Sequence, residues 1–350
     1  MHDYYNIKFV DGYFFFINQT KLPLEEEYIK TDNFERIAEA IEKLEIRGAP
    51  AIGIAAAFGV ALSLKASDGI MQNDESFYKA FERIKKTRPT AVNLFRALDE
   101  MKKVYEINRE KNNIYSVLIQ KSSEIHSEDI MKCNLMASFG FEIFKELSFR
   151  LNKLKLRVLT HCNTGKLATG GEGTAFAVIK KCFEEGLIEH IYADETRPLL
   201  QGSRLTAFEL DKNRIPFSII CDSMAGYLMQ KGNIDLVITG ADRISSSGNA
   251  ANKIGTYSLA VLSKYHNIPF FIAAPTTTID FDIDFIKEIP IEERSSSEIN
   301  SFRNLKITKS NYPVYNPSFD TIPAELISGI ITENGLFTYP YKFSSLDRKL

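Results

Sequence analysis

The sequence has few of the residues that build metal or disulfide frameworks. Its four cysteines, Cys133, Cys162, Cys182 and Cys221, are far apart and form no C-x-x-C pair. Neither a structural zinc site nor a set of disulfides is therefore indicated, and reduced thiols are expected. The five histidines are equally dispersed. We expect no metal.

Strong charge and long apolar runs are also missing. The 43 Lys and Arg residues nearly balance the 45 Asp and Glu residues, for a net charge of -2. This balance favours neither a nucleic-acid partner nor an anionic membrane. No apolar run approaches the ~20 residues that span a bilayer, and the amino terminus lacks the pattern of a signal peptide. We expect a cytoplasmic protein whose partner is a small molecule.

The length of 350 residues suggests two domains at ~100 to 200 residues each. Residues 4–8 and 13–18 are rich in aromatic side chains and predict a short β-hairpin. The segments that follow have helical apolar spacing up to a polar and basic stretch at residues 148–155. We therefore predict a mainly helical domain at residues 1–150 and a second domain at residues 151–350.

Two arginines of the first domain are candidate anion ligands. Arg47 and Gly48 precede a stretch, residues 49–64, that is apolar almost all round and predicts a helix packed on several sides. A guanidinium and the N–H groups of a helix start can bind one anion together. Arg88 lies at a break between two predicted helices. The alternative for each is an ordinary surface arginine beside a turn or helix end.

The second domain alternates strand-like and helical stretches. The strand-like runs are residues 157–160, 190–193, 217–220, 235–239 and 269–273. Strands that alternate with helices are typical of a parallel, doubly wound sheet. Polar clusters follow several of these runs, and in a parallel sheet they would all lie along one edge.

The stretch from residue 156 to residue 182 predicts a strand, a loop and a helix that begins near Thr174. Its four loop glycines, Gly165, Gly170, Gly171 and Gly173, would let backbone N–H groups approach a ligand. The positive end of the helix would face the same place, which favours a phosphate. The loop matches neither the G-x-G-x-x-G nor the Walker pattern, and glycines after a strand also form ordinary turns.

Two side chains at the predicted strand ends are candidates for chemistry. Cys162 lies in the loop after the first strand, and Asp242 follows another strand directly after Gly240 and Ala241. The alternative for Cys162 is a small cysteine in the core. The alternative for Asp242 is an aspartate that caps a helix or forms an ion pair with Arg243.

Several long motifs carry a resemblance to a known family. They are RGAPAIG, TRPTAVNLF, LTHCNTGKLAT, DETRPLLQGSRLTAFEL, GADRI, NAANKIGTYSLAVLSKYHNIPF, AAPTTTID, IPIEER and NPSFDTIPAELI. Together, and in this order, the sequence resembles the S-methyl-5-thioribose-1-phosphate isomerase family over nearly its whole length. That family is related in fold to the regulatory subunits of translation initiation factor 2B and to ribose-1,5-bisphosphate isomerase.

The resemblance implies a fold class and an assembly. The fold would be α/β, with a Rossmann-like parallel-sheet C-terminal domain after a mainly helical N-terminal domain that has a small β element. The protein would be a homodimer without a metal or a nucleotide cofactor. The implied reaction is the aldose-to-ketose isomerisation of S-methyl-5-thioribose 1-phosphate to S-methyl-5-thioribulose 1-phosphate.

The resemblance also implies residue roles. Cys162 and Asp242 would form the catalytic pair. The substrate and its phosphate would be held by Arg47, Gly48, Ala49, Arg88, Gln201, Asn252 and Lys253. Asn252 and Lys253 stand just before a predicted helix at Ile254, where they could bind hydroxyls or phosphate.

The substrate explains why an acid is needed. Its anomeric oxygen carries the phosphate, so the ring does not open to a free aldehyde by itself. Asp242, protonated, would donate to the ring oxygen. An aspartate has an ordinary pKa of about 3.9, so a pocket must favour the neutral form by about 4 kcal/mol to keep it protonated near pH 7. Two roles fit Cys162: a thiolate base, or a group that stabilises a hydride-like shift from C2 to C1.

The sequence departs from the family pattern at three positions. Glu172 stands where a Tyr is common, Ser296 or its neighbour where a Pro is common, and Ala324 where a His is common. These changes leave a paralogue that acts on 5-deoxyribose 1-phosphate as an alternative. Ribose 1,5-bisphosphate is disfavoured because a second phosphate would need more basic residues. A non-catalytic, sugar-phosphate-binding scaffold of the initiation factor 2B type is the third hypothesis.

Overall fold

The structure, a computed structural model, describes residues 4–65, 74–88, 92–284, 289, 291–302 and 305–343. The chain forms two compact units. Unit 1 contains Met1–Cys133 and Gly165–Gly173, and unit 2 contains Asn134–Thr164 and Thr174–Leu350. The domain boundary predicted at residue 150 stays a prediction. Among the described residues, no helix combines the length and the apolar character that crossing a bilayer requires.

Unit 1 combines a small sheet with helices. Its elements, of which the last continues into unit 2, are β1 Ile7–Val10, β2 Tyr13–Ile17, β3 Tyr28–Thr31, α1 Phe34–Glu42, α2 Ala49–Leu62, α3 Asp74–Lys85, α4 Val92–Asn108 and α5 Ile114–Arg150. The predicted hairpin is β1 with β2, and β3, which the sequence did not predict, adds to β2 in antiparallel orientation. Asn33 caps α1, because its side chain accepts from the N–H of Glu35.

Helix α2 is the centre of the core of unit 1. All of its residues from 51 to 62 are buried, as its apolar sequence predicts, and it contacts α1, α3 and α4. Two glycines allow close approach of its neighbours. A Cβ at Gly53 would lie 2.8 Å from the carbonyl oxygen of Asn93, and one at Gly59 would lie 2.7 Å from the side chain of Ile84. The position of this helix, and therefore of its first residues, is tightly fixed.

The glycine-rich segment at residues 165–173 packs against α5. The N–H of Gly170 donates to Oδ2 of Asp129 at 2.6 Å. A Cβ at Gly170 would lie 2.5 Å from the ring of His126. The prediction that this N–H meets a ligand is therefore wrong, because a carboxylate of α5 accepts from it. The glycine is needed here for close packing.

Unit 2 contains the end of α5 and a larger set of strands and helices. In chain order these are β4 Leu156–Thr160, α6 Ala175–Glu184, β5 Ile188–Asp194, α7 Ala207–Lys212, β6 Phe217–Ile220, α8 Ala225–Gln230, β7 Leu236–Thr239, β8 Arg243–Ser245, β9 Ala250–Lys253, α9 Thr256–Tyr265, β10 Phe270–Ala273, β11 Ile279–Asp280, α10 Ser297–Asn300, β12 Ser301–Phe302, β13 Leu305–Lys306, β14 Phe319–Ile322, β15 Gly329–Thr332 and β16 Gly335–Phe337.

The main sheet of unit 2 has seven strands in the order β16-β15-β10-β7-β4-β5-β6. All neighbours are parallel except β15 and β16. Alternate residues face opposite sides: Val158 and Leu236 belong to a core with α6, whereas Leu159 and Val237 belong to a core with α9. Both faces are covered, which is why these strands are apolar almost throughout. The predicted α/β fold with a parallel C-terminal sheet is confirmed.

A second sheet, which the sequence did not predict, stands beyond the end of β7. Its strand order is β11-β8-β9-β14. Strand β9 pairs with β8 and with β14 in antiparallel orientation, and Asn252 lies opposite Asp320. This sheet fixes the segment that carries Asn252 and Lys253.

Candidate active site

The loops that carry Cys162 and Asp242 are neighbours. They follow β4 and β7, which are adjacent and parallel, so their carboxyl ends lie about 4.8 Å apart at the same edge of the sheet. Beyond the strands the loops stay together, because a Cβ at Gly240 would lie 2.9 Å from Cγ2 of Thr164. The sheet therefore places both predicted catalytic residues at one edge.

Cys162 has an unusual backbone conformation. Its φ is 64°, a left-handed value that costs a residue other than glycine roughly 1 to 2 kcal/mol. Two hydroxyls hold it there: the N–H of Cys162 donates to Oγ1 of Thr196 at 2.9 Å, and Oγ1 of Thr206 donates to the carbonyl oxygen at 2.5 Å. The residue is only 7% exposed. Strain that the surroundings impose in this way is typical of functional sites.

Gln201 presents an unused acceptor. The residue is buried, and its Oε1 has no hydrogen-bond partner among the described residues. Gln201 stands at the start of a π-helical turn, Gly202–Thr206, a conformation that is rare and frequent at functional sites. A Cβ at Gly202 would lie 1.6 Å from the carbonyl oxygen of Asp194. Because a buried acceptor without a donor is unfavourable, a donor on a ligand would stabilise this arrangement.

Asp242 begins a hairpin of the second sheet. Its N–H donates to the carbonyl oxygen of Ala251 at 2.9 Å, and its side chain is half-buried. The neighbouring Arg243 donates from Nη1 to Oδ2 of Asp280 at 2.7 Å. Asp242 therefore lies in the turn between the end of β7 and the start of β8, beside the strand that carries Asn252.

Asn252 and Lys253 end strand β9. Asn252 is buried, and Nζ of Lys253 donates to the carbonyl oxygen of Ser318 at 3.0 Å. Helix α9 begins later than the sequence predicts, and the N–H of Gly255 at its start donates to Oδ2 of Asp320 at 2.7 Å. A protein carboxylate thus accepts from the N–H groups at the helix start, and the roles of Asn252 and Lys253 stay predictions.

A buried histidine joins these loops. Nδ1 of His161 lies 2.9 Å from Oδ2 of Asp194, and Nε2 lies 2.9 Å from the carbonyl oxygen of Ile254. His161, Asp194 and Asp222 have metal-ligating atoms within 4.8 Å of one another. Hydrogen bonds already use several of these atoms, since Asp222 also accepts from the N–H of Thr196 at 2.7 Å. The group is a hydrogen-bonded network, and the expected absence of a metal stays a prediction.

The network shifts the pKa of its members. Burial raises the pKa of Asp194 to about 6, although its hydrogen bond to His161 opposes the rise. Burial alone would lower the pKa of His161, but the hydrogen bond and the charge of Asp194 outweigh it and raise that pKa. His161 and Asp194 therefore retain a proton at a higher pH than the isolated side chains would. Burial also raises the pKa of Asp320, in β14, to about 6.

The remaining predicted site residues belong to unit 1. Helix α2 begins at Ala49, and Gly48 before it has a φ of 90°. A Cβ at Gly48 would lie 2.4 Å from Cα of Ala168, so the start of α2 is pressed against the glycine-rich segment. Arg47 is half-buried just before this turn. Arg88, also half-buried, follows α3, and residues 89–91 of its predicted motif lie outside the described residues.

Only some of the predicted site residues lie together in unit 2. The residues at one edge of unit 2 are Cys162, Gln201, Asp242, Asn252 and Lys253. Sequence reasoning assigned no role to His161, Asp194, Thr196 and Thr206, which hold the segment of Cys162 and join it to Ile254 after Lys253. The available signal was the presence of polar side chains immediately after two predicted strands.

A sequence profile of the initiation factor 2 subunit family matches residues 45–339. The chain belongs to this family. Within it, the methylthioribose-1-phosphate isomerase of Caldicellulosiruptor saccharolyticus is 49% identical over 328 residues, which are 93% of this chain and 94% of that protein.

Two solved structures are similar to this chain in fold. The crystal structure of 5-methylthioribose 1-phosphate isomerase from Pyrococcus horikoshii OT3 has a TM-score of 0.90 at 40% identity, and the match covers 99% of this chain and 96% of that one. The structure of the translation initiation factor eIF-2B, subunit delta, from A. fulgidus has a TM-score of 0.83 at 37% identity and covers 98% of both chains. The family resemblance predicted from the motifs is confirmed.

Proposed function

We propose that this protein is an aldose–ketose isomerase that converts S-methyl-5-thioribose 1-phosphate to S-methyl-5-thioribulose 1-phosphate, a reaction of methionine salvage. The observation that carries the proposal is the meeting of the Cys162 and Asp242 loops at adjacent ends of parallel strands. The similarity to proteins named methylthioribose-1-phosphate isomerase over almost the whole chain supports it.

In the first step Asp242 donates a proton to the ring oxygen. The bond between C1 and the ring oxygen breaks, and the ring oxygen leaves as a hydroxyl. This acid must be protonated at the start and is restored at the end, because the isomerisation neither consumes nor releases a proton. A side chain in this role typically contributes 10²- to 10⁴-fold in rate.

In the second step hydrogen moves from C2 to C1, and C2 becomes a carbonyl. Cys162 takes part in one of two ways. As a thiolate it removes the proton at C2, the resulting thiol returns a proton to C1, and the proton of the C2 hydroxyl passes to the carboxylate of Asp242. Alternatively its side chain stabilises a hydride shift from C2 to C1 while the proton of the C2 hydroxyl passes to the carboxylate of Asp242. The fixed backbone of Cys162 suits both roles, because it directs the thiol to one place.

Substrate binding is assigned to groups with complementary chemistry. The buried Oε1 of Gln201 would accept from a sugar hydroxyl. Asn252 and Lys253 would add an amide and a cation at the same edge. Arg47, Gly48, Ala49 and Arg88 would also contact the substrate and its phosphate, as the family resemblance implies.

A second candidate substrate is 5-deoxyribose 1-phosphate, which lacks the methylthio group. The observation that favours it is the departure from the family pattern at Glu172, which forms an ion pair with Lys166 at 2.9 Å in the glycine-rich segment. A carboxylate at a position where an aromatic ring is common changes the polarity of this segment. A third candidate is a binding scaffold, which the similarity to an initiation factor subunit supports.

We infer a homodimer in the cytoplasm with a sugar 1-phosphate as its small-molecule partner and without a cofactor. The free state of all four cysteines is in keeping with a reducing compartment.

The test is a turnover assay on both sugar phosphates, without added metal and with a chelator. We expect a higher kcat/KM for the methylthio sugar, since kcat/KM measures discrimination between substrates. A preference for the deoxy sugar would instead establish the paralogue, and no turnover on either by the folded protein would favour the scaffold.

Two variants test the residue roles. Cys162→Ser and Asp242→Asn should lower kcat/KM by about 10²- to 10⁴-fold without changing Tm appreciably. Cys221→Ser, at an exposed free cysteine, and Asp211→Asn, at an exposed carboxylate of α7, are the matched controls and should turn over normally. Near-normal activity of either site variant would contradict its assigned role.

A further inference from the structure

His161 is a buried histidine with both ring nitrogens hydrogen-bonded. The residue is 1% exposed, with Nδ1 2.9 Å from Oδ2 of Asp194 and Nε2 2.9 Å from the carbonyl oxygen of Ile254. Because a carbonyl oxygen only accepts, Nε2 carries a proton and donates it. The ring is therefore held at both nitrogens and is not placed to touch a substrate.

The ring connects the two segments that carry proposed site residues. Cys162 directly follows His161, and Ile254 directly follows Lys253. Gly255 packs against the ring, since a Cβ there would lie 3.0 Å from Cε1, and its φ is +106°. Gly255 therefore allows the chain after Ile254 to pack closely against the imidazole, and any other residue at this position would be strained.

Carboxylates from three elements face the imidazole. They are Asp194 at the end of β5, Asp222 after β6 and Asp320 in β14. Oδ1 of Asp194 is buried and has no hydrogen-bond partner among the described residues. Burial alone would lower the pKa of His161, but Asp194 outweighs it and the pKa is raised. An imidazolium in this place offsets the negative charge and donates from both nitrogens.

We infer that His161 is a positioning residue that sets the placement of Cys162 relative to Lys253 by bonding to Asp194 on one side and to Ile254 on the other. The inference rests on the proposed isomerase function. It follows that loss of either bond displaces the thiol from the reacting carbons, whereas the groups that hold the substrate remain. Turnover should therefore fall more than substrate binding.

Two substitutions remove the hydrogen bonds of His161 to Asp194 and to Ile254 one at a time. His161→Gln keeps an amide donor where Nε2 stands and removes the group at Nδ1, so it retains the bond to Ile254 alone. His161→Asn places an amide where Nδ1 stands and removes the donor to Ile254. The matched control is His190→Gln in β5, where the ring lies 2.9 Å from Oγ of Ser218 and outside the site.

We expect kcat of both His161 variants to fall about 100-fold, as a misplacement of about 1 Å produces. KM should change by less than about fivefold, because interactions made equally with substrate and transition state remain. The control should match the wild type. A second measurement is the rate at which iodoacetamide alkylates Cys162, followed by mass spectrometry with Cys221 as the internal reference. This rate should change at least about tenfold, since thiol reactivity depends on access and surroundings.

Folded His161 variants with kcat within about threefold of the wild type, and with an unchanged alkylation rate at Cys162, would overturn the inference. If both variants fail to fold, Asp194→Asn decides: a lower kcat in the folded variant supports positioning, and a normal kcat refutes it. If the wild type turns over neither sugar phosphate, the proposed function fails. The alkylation rate of Cys162 then still tests the positioning, with a change in its favour and no change against it.

Discussion

Replacement of Gly202 by alanine is a sharp test of how the site is built. A Cβ at this position would lie 1.6 Å from the carbonyl oxygen of Asp194 and 2.9 Å from Oγ1 of Thr196. Carbon and oxygen atoms are in favourable contact at about 3.5 Å, so the turn or the end of β5 must move by roughly 1.5 Å or more. Both neighbours are backbone or buried, so neither can rotate away.

The displacement affects stability and activity to different degrees. Overpacking of this kind costs about 1 to 3 kcal/mol, which lowers Tm by about 2 to 4 °C for each kcal/mol in a domain of this size. The same movement shifts the neighbouring Gln201, which is proposed to bind the substrate, and disturbs Asp194 at the end of β5. Because a misplacement of about 1 Å lowers the rate about 100-fold, we expect at least this loss in kcat/KM.

The assay compares kcat/KM on methylthioribose 1-phosphate and Tm for Gly202→Ala and a matched glycine. Gly226→Ala in α8 is the control, because its new Cβ would lie 3.4 Å from Leu262 of α9, which is an ordinary contact. Alanine is also favoured over glycine inside a helix by about 1 kcal/mol, so this variant should be active and slightly more stable. Wild-type kcat/KM and Tm in Gly202→Ala would refute the reasoning.

Three further predictions concern backbone approach and pH. Gly48→Ala should lower kcat/KM and Tm, because its φ is +90° and the Cβ would lie 2.4 Å from Cα of Ala168; unchanged values would contradict the close approach. For Asp320, burial raises the pKa to about 6 from 3.8, so its contribution to stability is present below pH 4 and is lost as pH rises through 6. The advantage of the wild type over Asp320→Asn in urea unfolding should thus shrink by up to about 3 kcal/mol from pH 4 to pH 7, and a constant difference would refute the shift. Asp235 has the opposite sign: burial alone would raise its pKa, but Lys153 and Arg157 outweigh it and lower the pKa, so the advantage of the wild type over Asp235→Asn should be lost as the pH falls below about 4 and should persist at neutral pH.

The sequence by itself determined the elements whose signals are local. Alternating strand and helix segments predicted the parallel sheet, because strands buried on both faces are apolar throughout. The apolar character of residues 49–64 predicted a helix packed on several sides, which is α2. Cys162 and Asp242 became candidates because polar residues that follow parallel strands lie at one edge of the sheet, and the family resemblance implied their roles.

Only the tertiary structure decided which groups hold the site. His161 and Ile254 are 93 residues apart in the chain, and no local pattern links a histidine to a distant carbonyl group. The same is true of Gly170, whose N–H is accepted by Asp129 rather than by a ligand, and of Gln201, whose unpartnered oxygen becomes evident only when its neighbours are in place. Local periodicity reports which side of an element is buried, whereas hydrogen-bond partners depend on contacts that form only when distant segments pack together.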